Sequence, residues 1–248
     1  MLKLVRGQKT KINLDTDPKQ DHTFFIAIKL TWPHPSEVDI CCFGLDEFGI
    51  LSNDSYFVFY NHRTAPLNAL KILKLTSTEA IFLCDLQKIP YFLPRLLFTL
   101  TVDGYQSFKD LGPSSLIMKN VNGENKLSFN FDGSFFQEER AVLLFEIYKK
   151  QVWRCGAICQ GYNHMGLKEL LEYFGGTISE HPEVASEDVP DLPVPRIPKD
   201  LEEDLDSLIL EGKGKGPAVA SMAPKPAPKA EELPPPPKEI YLPPFWDK

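Results

Sequence analysis

The uneven distribution of proline is the feature that most constrains how this chain can fold. Fifteen of its 22 prolines lie between Pro182 and Pro244, in the last quarter of the 248 residues. A segment so rich in proline, lysine and acid cannot bury enough apolar surface to offset the entropy of ordering it. We therefore predict a globular domain over residues 1–180 and a disordered tail over residues 181–248.

Charge changes at the same boundary. The residues from Pro182 onward carry 14 acids and 8 bases, which leaves 20 acids and 19 bases before them. A nearly neutral domain lacks the basic field that drives nucleic-acid affinity, and an acidic tail is repelled by phosphate and by anionic lipid. Nucleic acid is therefore not an expected partner.

The cellular compartment is predicted from the cysteines and the first residues. Five cysteines is an odd number, and the opening MLKLVRGQKTKINL places charges where a signal peptide needs an apolar run. The longest apolar stretches are shorter than the roughly 20 residues that span a bilayer. We predict a cytoplasmic protein with reduced thiols and no transmembrane segment.

Short runs of β-branched and aromatic residues, separated by turn residues, fill the globular part. They predict about ten strands. The clearest are Phe24–Thr31, Val38–Gly44, Tyr56–Tyr60, Ala80–Asp85, Arg95–Val102, Ser115–Lys119, Lys126–Phe131, Ala141–Tyr148 and Val152–Gln160. Asp-Gly and Asn-Gly turns between them favour an all-β, two-sheet β-sandwich or a barrel.

Two helices are indicated after the strands. The first closes the domain, because Leu167, Leu170, Leu171 and Phe174 share one helical face before Gly175-Gly176. The second lies in the tail over residues 199–210, and its stripe includes Leu205 and Ile209. A helix of that length is marginal alone, so the tail is expected to add few buried contacts.

The motifs of familiar enzymes are missing from the sequence. It contains no Gly-x-Ser-x-Gly elbow, no His-Glu-x-x-His, no phosphate loop and no dinucleotide fingerprint. Cys155 and Cys159 share a strand face, but structural zinc needs more partners, so the cysteines are interpreted as small core residues. We expect a protein that is not an enzyme.

Oxygen ligands suggest a cation site. Glu37 and Asp39 flank Val38 and point to one face of a strand, and Asn61 ends a later strand. Calcium takes six to eight oxygens. Three donors are fewer than that, and a solvated polar face is the alternative interpretation.

These same residues carry a resemblance to the TerD family. Glu37-Val38-Asp39 is similar to the family's Asp-x-Asp strand, and the segment 48–52 is similar to its Gly turn with Leu-Ser. The block 57–62 resembles Phe-x-Phe-x-Asn-Asn, and 84–90 resembles Val-Asp-Leu with Val-Pro. The closing strands, residues 146–162, resemble the end of the family pattern, so the resemblance covers about residues 2–176.

The resemblance implies a calcium-binding β-sandwich of the tellurium-resistance and stress-response type. It implies partners among other proteins of a stress-response complex, with peripheral membrane association through them, and no catalytic residues. The family's acidic Gly-Asp loop corresponds here to residues 63–80, where Glu79 is the only acid. Glu37, Asp39 and Asn61 therefore correspond to a remnant of the calcium site, in which calcium binding is expected to be weakened or lost.

The sequence thus predicts a stress-response binding or scaffold protein, with a calcium-dependent or carbohydrate-type binding module as the alternative. The tail supplies the candidate partner contacts, which are the helix stripe and the bulky residues after the polyproline segment. These candidate partner-binding residues are Leu205, Ile209, Tyr241, Phe245 and Trp246.

Overall fold

The computed structural model describes residues 1–12, 14, 22–177, 195–198 and 200–213. Twelve strands lie within these residues. They are β1 (Leu2–Leu4), β2 (Lys9–Lys11), β3 (Thr23–Thr31), β4 (Val38–Leu45), β5 (Phe57–Val58), β6 (Leu70–Leu75), β7 (Glu79–Asp85), β8 (Arg95–Val102), β9 (Gly112–Asn120), β10 (Asn125–Phe131), β11 (Ala141–Lys150) and β12 (Val152–Tyr162). Two α-helices follow, α1 (Leu167–Tyr173) and α2 (Asp200–Lys213).

The strands form two sheets of six. Sheet I has the order β1-β10-β9-β3-β7-β6, and sheet II has the order β2-β12-β11-β8-β4-β5. The pairs are antiparallel except for β1, which runs parallel to β10. The predicted all-β sandwich with a short helix after the strands is confirmed.

Apolar side chains form three layers of core. The central layer lies between the sheets and includes Phe24 and Ile26 of sheet I and Ile40 and Phe98 of sheet II, all almost fully buried. Because side chains alternate along a strand, each sheet also presents an outer face. The outer face of sheet II packs against α1, and that of sheet I packs against α2.

One predicted strand is shorter than expected. The prediction was Tyr56–Tyr60, but residues 54–56 form a 3₁₀ turn and only Phe57–Val58 are extended. The Asn53 side chain accepts a hydrogen bond from the Ser55 N–H and caps this turn. Reciprocal backbone bonds between Phe59 and His62 then reverse the chain, which ends the strand early.

The tail helix lies where the sequence predicts it. It is packed against the sandwich, whereas the sequence predicted that it would make few buried contacts. Leu201 and Leu205 are fully buried, and Leu208 is nearly so, against the outer face of sheet I. The expectation that this segment adds few buried contacts is therefore wrong for α2, because the outer face of sheet I offers it an apolar surface. The remaining tail residues, including Tyr241, Phe245 and Trp246, lie outside the described residues.

Candidate functional site

A cavity of about 550 Å³ opens where β4 begins and β8 ends. Val38 pairs with Val102 in the antiparallel ladder, so Glu37 and Asp103 lie next to each other just beyond that pair. Asp39 faces Thr101 one step inside the ladder. Directly opposite residues of an antiparallel pair share a face, which brings these three carboxylates to one cavity.

The rest of the wall comes from two turns. Tyr60 and Arg63 follow β5, and Thr76 and Ser77 follow β6. The complete lining comprises Ser36, Glu37, Val38, Asp39, Ile40, Cys41, Tyr60, Arg63, Leu75, Thr76, Ser77 and Asp103. The lining therefore combines carboxylates, hydroxyls and one guanidinium.

Asp39 is the most perturbed carboxyl of the cavity. Desolvation by burial, followed by the nearby charges of Asp103 and Glu37, raises the pKa of Asp39 to about 6. Perturbed acids in a polar cavity are typical of binding and catalytic sites, although structural clusters show the same effect.

Two of the three candidate ligands predicted from the sequence lie together in the structure. Glu37 and Asp39 line the cavity, whereas Asn61 is exposed and is not among the lining residues. Asp103 was missed because the Asp-Gly pair at 103–104 was interpreted only as a turn. The signal that could have found it is the register of β4 with β8, which a single sequence does not reveal.

Two residues in segments where this chain departs from the family pattern, His62 and Glu79, make other contacts. Nδ1 of the His62 ring lies 2.8 Å from the carbonyl oxygen of Phe57. Glu79, the only acid of the substituted loop, is buried and lies 3.1 Å from the ammonium of Lys74. Both side chains are therefore engaged outside the cavity.

The cavity only partly fits a calcium ion. Its carboxylate and hydroxyl oxygens are the hard donors that calcium takes, but Arg63 places a positive charge in the same wall. Among the described residues, no group of three or more His, Cys, Asp or Glu side chains is arranged to hold a metal ion. These residues do not make a complete calcium shell as they stand.

The five cysteines are buried free thiols. Cys155 and Cys159, the pair that raised the question of zinc, belong to the central core layer. Burial raises the pKa of each to about 12. Their surroundings are those of small apolar core residues.

Two six-stranded sheets packed face to face make this part of the chain a β-sandwich domain. The sequence pattern of the TerD domain matches residues 1–174, which is more than half of the chain. The protein belongs to the TerD family.

The chain is also similar to individual known proteins. The chain is 29% identical over 111 residues to the tellurium resistance protein TerA of an Alcaligenes species, a match that covers 42% of this chain and 30% of that protein. The crystal structure of SAV2460, described as a protein of unknown function, is similar in fold, with a TM-score of 0.50 at 13% identity. That likeness covers 63% of this chain and 98% of SAV2460.

A second solved structure with a similar chain is that of a homologue of the telluride resistance protein TerD, SCO6318 from Streptomyces coelicolor A3(2). It is 14% identical, with a TM-score of 0.46 over 60% of this chain and 94% of that one. Within the residues that the structure describes, no helix is long and apolar enough to cross a membrane.

Proposed function

We propose that this protein is a non-enzymatic, cytoplasmic binding or scaffold protein of the tellurium-resistance type, which acts by contacting other proteins of a stress-response complex. Membership of the TerD family supports the tellurium-resistance assignment. The observation that carries the binding role is a set of exposed bulky side chains at one end of sheet II. Any association with a membrane would be peripheral and made through partners.

Strand register brings three loops to that end. Leu45, the last residue of β4, pairs with Arg95, the first residue of β8, and Arg95 also pairs with Tyr148 near the end of β11. The loops that follow β4, precede β8 and join β11 to β12 therefore meet at one end of the sandwich. We call this end the aromatic end.

The aromatic end exposes large apolar groups. Phe48 is 81% exposed and Tyr91 is 92% exposed, and the ring of Phe92 lies beside that of Tyr91. Val152, the first residue of β12, is also exposed. Aromatic side chains are the commonest anchors of protein interfaces, and loops on a rigid scaffold are where binding residues concentrate.

The test replaces Phe48 and Tyr91 with serine in the full chain and compares the proteins captured from host extracts, with and without tellurite. The matched control is Tyr105→Ser, since Tyr105 is fully exposed but follows β8 at the other end of the sheet. We expect the double variant to lose partners that the control retains. An identical partner set for all three proteins would contradict the proposal.

The alternative function, a calcium-dependent or carbohydrate-type binding module, is favoured by the polar cavity around Asp39. The two functions make different demands, because the alternative needs Glu37, Asp39 and Asp103 whereas the proposed one needs the aromatic end. If the alternative is right, Asp39→Asn together with Asp103→Asn should abolish binding of calcium or carbohydrate. If the proposed function is right, the double variant should capture the same proteins as the wild type.

The tail residues Tyr241, Phe245 and Trp246 are proposed as a second contact. A bulky aromatic group beyond a polyproline segment can anchor a partner and add avidity to a contact made by the sandwich. Replacing Phe245 and Trp246 with alanine should reduce capture of the same partners. If capture is unchanged, the anchor role of these residues is wrong.

A further inference from the structure

The outer face of sheet I is an apolar surface made by three neighbouring strands. Its buried residues are Phe25, Ala27, Ile81, Leu83 and Ile117, from β3, β7 and β9. Phe25 and Ala27 alternate with residues that enter the central core, so they point away from it. We call this surface the receptor face.

Helix α2 buries one apolar stripe on the receptor face. Leu201, Leu205 and Leu208 recur at intervals of four and three residues, which places them on one side of the helix, and all three are buried on the face. Leu210 lies elsewhere on the helix and is 66% exposed. The burial therefore follows one helical stripe.

Helix α2 and the strands of sheet I are also complementary in charge. Lys119 of β9 lies 2.7 Å from Asp200 and 2.6 Å from Asp204. Lys74 of β6 lies 2.6 Å from Glu202. Lys29 of β3 pairs with Asp206. Three lysines of the sheet therefore pair with four acids of the helix. The receptor face is thus suited to binding an acidic amphipathic helix.

The sheet contacts the helix backbone weakly. The Ser115 hydroxyl donates to the Leu205 carbonyl and the Asn130 amide donates to the Leu208 carbonyl, each at 3.4 Å. By contrast, α1 is joined to the sandwich by a backbone bond of 2.7 Å from the Leu51 N–H to the Phe174 carbonyl. The docking of α2 depends on side chains, so the helix can leave without breaking a β-ladder.

The connection between the domain and α2 is long enough to reach another molecule. Ile197 packs on the receptor face together with α2, so the connection comprises the 17 residues 178–194 between Thr177 and Pro195. A chain of that length spans at most about 60 Å when fully extended. The tether therefore does not restrict α2 to its own sheet.

We propose that the receptor face accepts α2 from a second copy of this chain, so that the helices exchange between molecules. Every copy carries both a helix and a face, and the exchanged contacts are the same as those within one chain, which is the condition for domain swapping. This inference rests on the contacts of α2 and not on the proposed function.

Protein concentration should control the exchange. A flexible tether holds its own helix at an effective concentration in the millimolar range, so binding within one chain dominates in dilute solution. Exchange should become prominent only as the protein concentration approaches that range, for example inside an assembly that brings copies together.

The test mixes equal amounts of unlabelled and ¹⁵N-labelled full chain and joins salt-bridged pairs with a zero-length carbodiimide cross-linker. Mass spectrometry then identifies peptides that join Lys74 to Glu202. We expect mixed-label peptides, increasing roughly tenfold or more between 10 µM and 1 mM protein. The internal control is Lys88 with Asp85, which lie 3.0 Å apart within one loop and should give same-label peptides only.

Variants show whether the cross-links report docking. Leu205→Asp should abolish the Lys74–Glu202 links and keep the Lys88–Asp85 links, whereas Leu210→Asp should keep both. Links between Lys74 and Glu202 that are always same-label at 1 mM would overturn exchange, and their complete absence from the wild type would overturn docking. If Leu205→Asp does not fold, the wild-type label distribution still decides the question.

Discussion

The ammonium of Lys119, whose side chain is fully buried, lies 2.6 Å from the carboxylate of Asp204, a residue 85 positions later in the chain. A buried lysine is costly unless it is paired, so this contact fixes where α2 can dock on sheet I. The helix and the sheet therefore form one compact unit.

Charge reversal at this contact should undock the helix. In Lys119→Glu the new carboxylate faces Asp200 and Asp204, and the docking free energy of α2 should fall by roughly 3 kcal/mol or more. Adding Asp204→Lys restores an opposite pair and should recover part of the loss. Hydrogen exchange of the amides of residues 201–210 measures both effects, and equal protection in all variants would show that the pair does not hold the helix.

The docking free energy of α2 should depend on the buried leucines and hardly at all on the exposed one. Leu205→Ala removes a fully buried side chain from the receptor face and should cost roughly 2–4 kcal/mol of docking free energy. Leu210→Ala, on the exposed side of the same helix, should change it by less than about 0.5 kcal/mol. Thermal unfolding combined with hydrogen exchange separates the two, and similar values for both variants would contradict the observed orientation.

Asp39 should make stability depend on pH. Its pKa is raised to about 6 in the folded protein from 3.8, so folding favours the protonated carboxyl and stability falls as the pH rises from about 4 through 6. Because Asp39 is only partly buried and solvent screens part of the effect, Asp39→Asn should stabilise the protein by about 1–2 kcal/mol at pH 7.5 and by almost nothing at pH 3.5. Denaturant melts at both pH values, with chelator present, measure this, and a destabilised variant at pH 7.5 would contradict the assignment.

Calcium should stabilise the protein little. If the dissociation constant is about 1 mM, as in weak sites, 1 mM calcium adds only about 0.4 kcal/mol. Titration calorimetry and thermal melts in calcium or chelator test this directly. Binding tighter than about 10 µM, which is sensor-range affinity, would show that the cavity recruits ligands beyond Glu37, Asp39 and Asp103.

The thiols should be unreactive in the folded protein. Burial raises the pKa of Cys155 and Cys159 to about 12, and it raises those of Cys41, Cys42 and Cys84 as well. A thiol-disulfide reagent at pH 8 should modify none of the five within minutes in buffer and all five in guanidinium. Rapid native reaction of any one would identify a local opening around it.

Runs of β-branched and aromatic residues bounded by turn residues predicted the long central strands well. Arg95–Val102 has the bounds that were predicted, and Ala80–Asp85 differs by one residue. The strands β1, β2 and β6 were missed because each is an edge strand, where short length and charged residues weaken the apolar pattern.

The cavity and the buried lysine could be predicted only in part, because both depend on contacts between distant segments of the chain. Glu37 and Asp39 could be placed together because they are two residues apart on one strand, whereas Asp103 joins them only through the β4–β8 register. Likewise, the sequence around Lys119 does not indicate a buried lysine, because the acids that pair with it lie in α2. A single sequence does not show which distant segments meet.

The first eleven residues contribute an edge strand to each sheet, since β1 lies at the edge of sheet I and β2 at the edge of sheet II. The chain passes from one sheet to the other through residues 5–8 and so closes one side of the sandwich. Without β1 and β2, strands β10 and β12 would present unpaired backbone N–H and C=O groups to solvent. Such edges template pairing between molecules, and covering them with strands of only 3 residues each leaves a shorter open edge for aggregation.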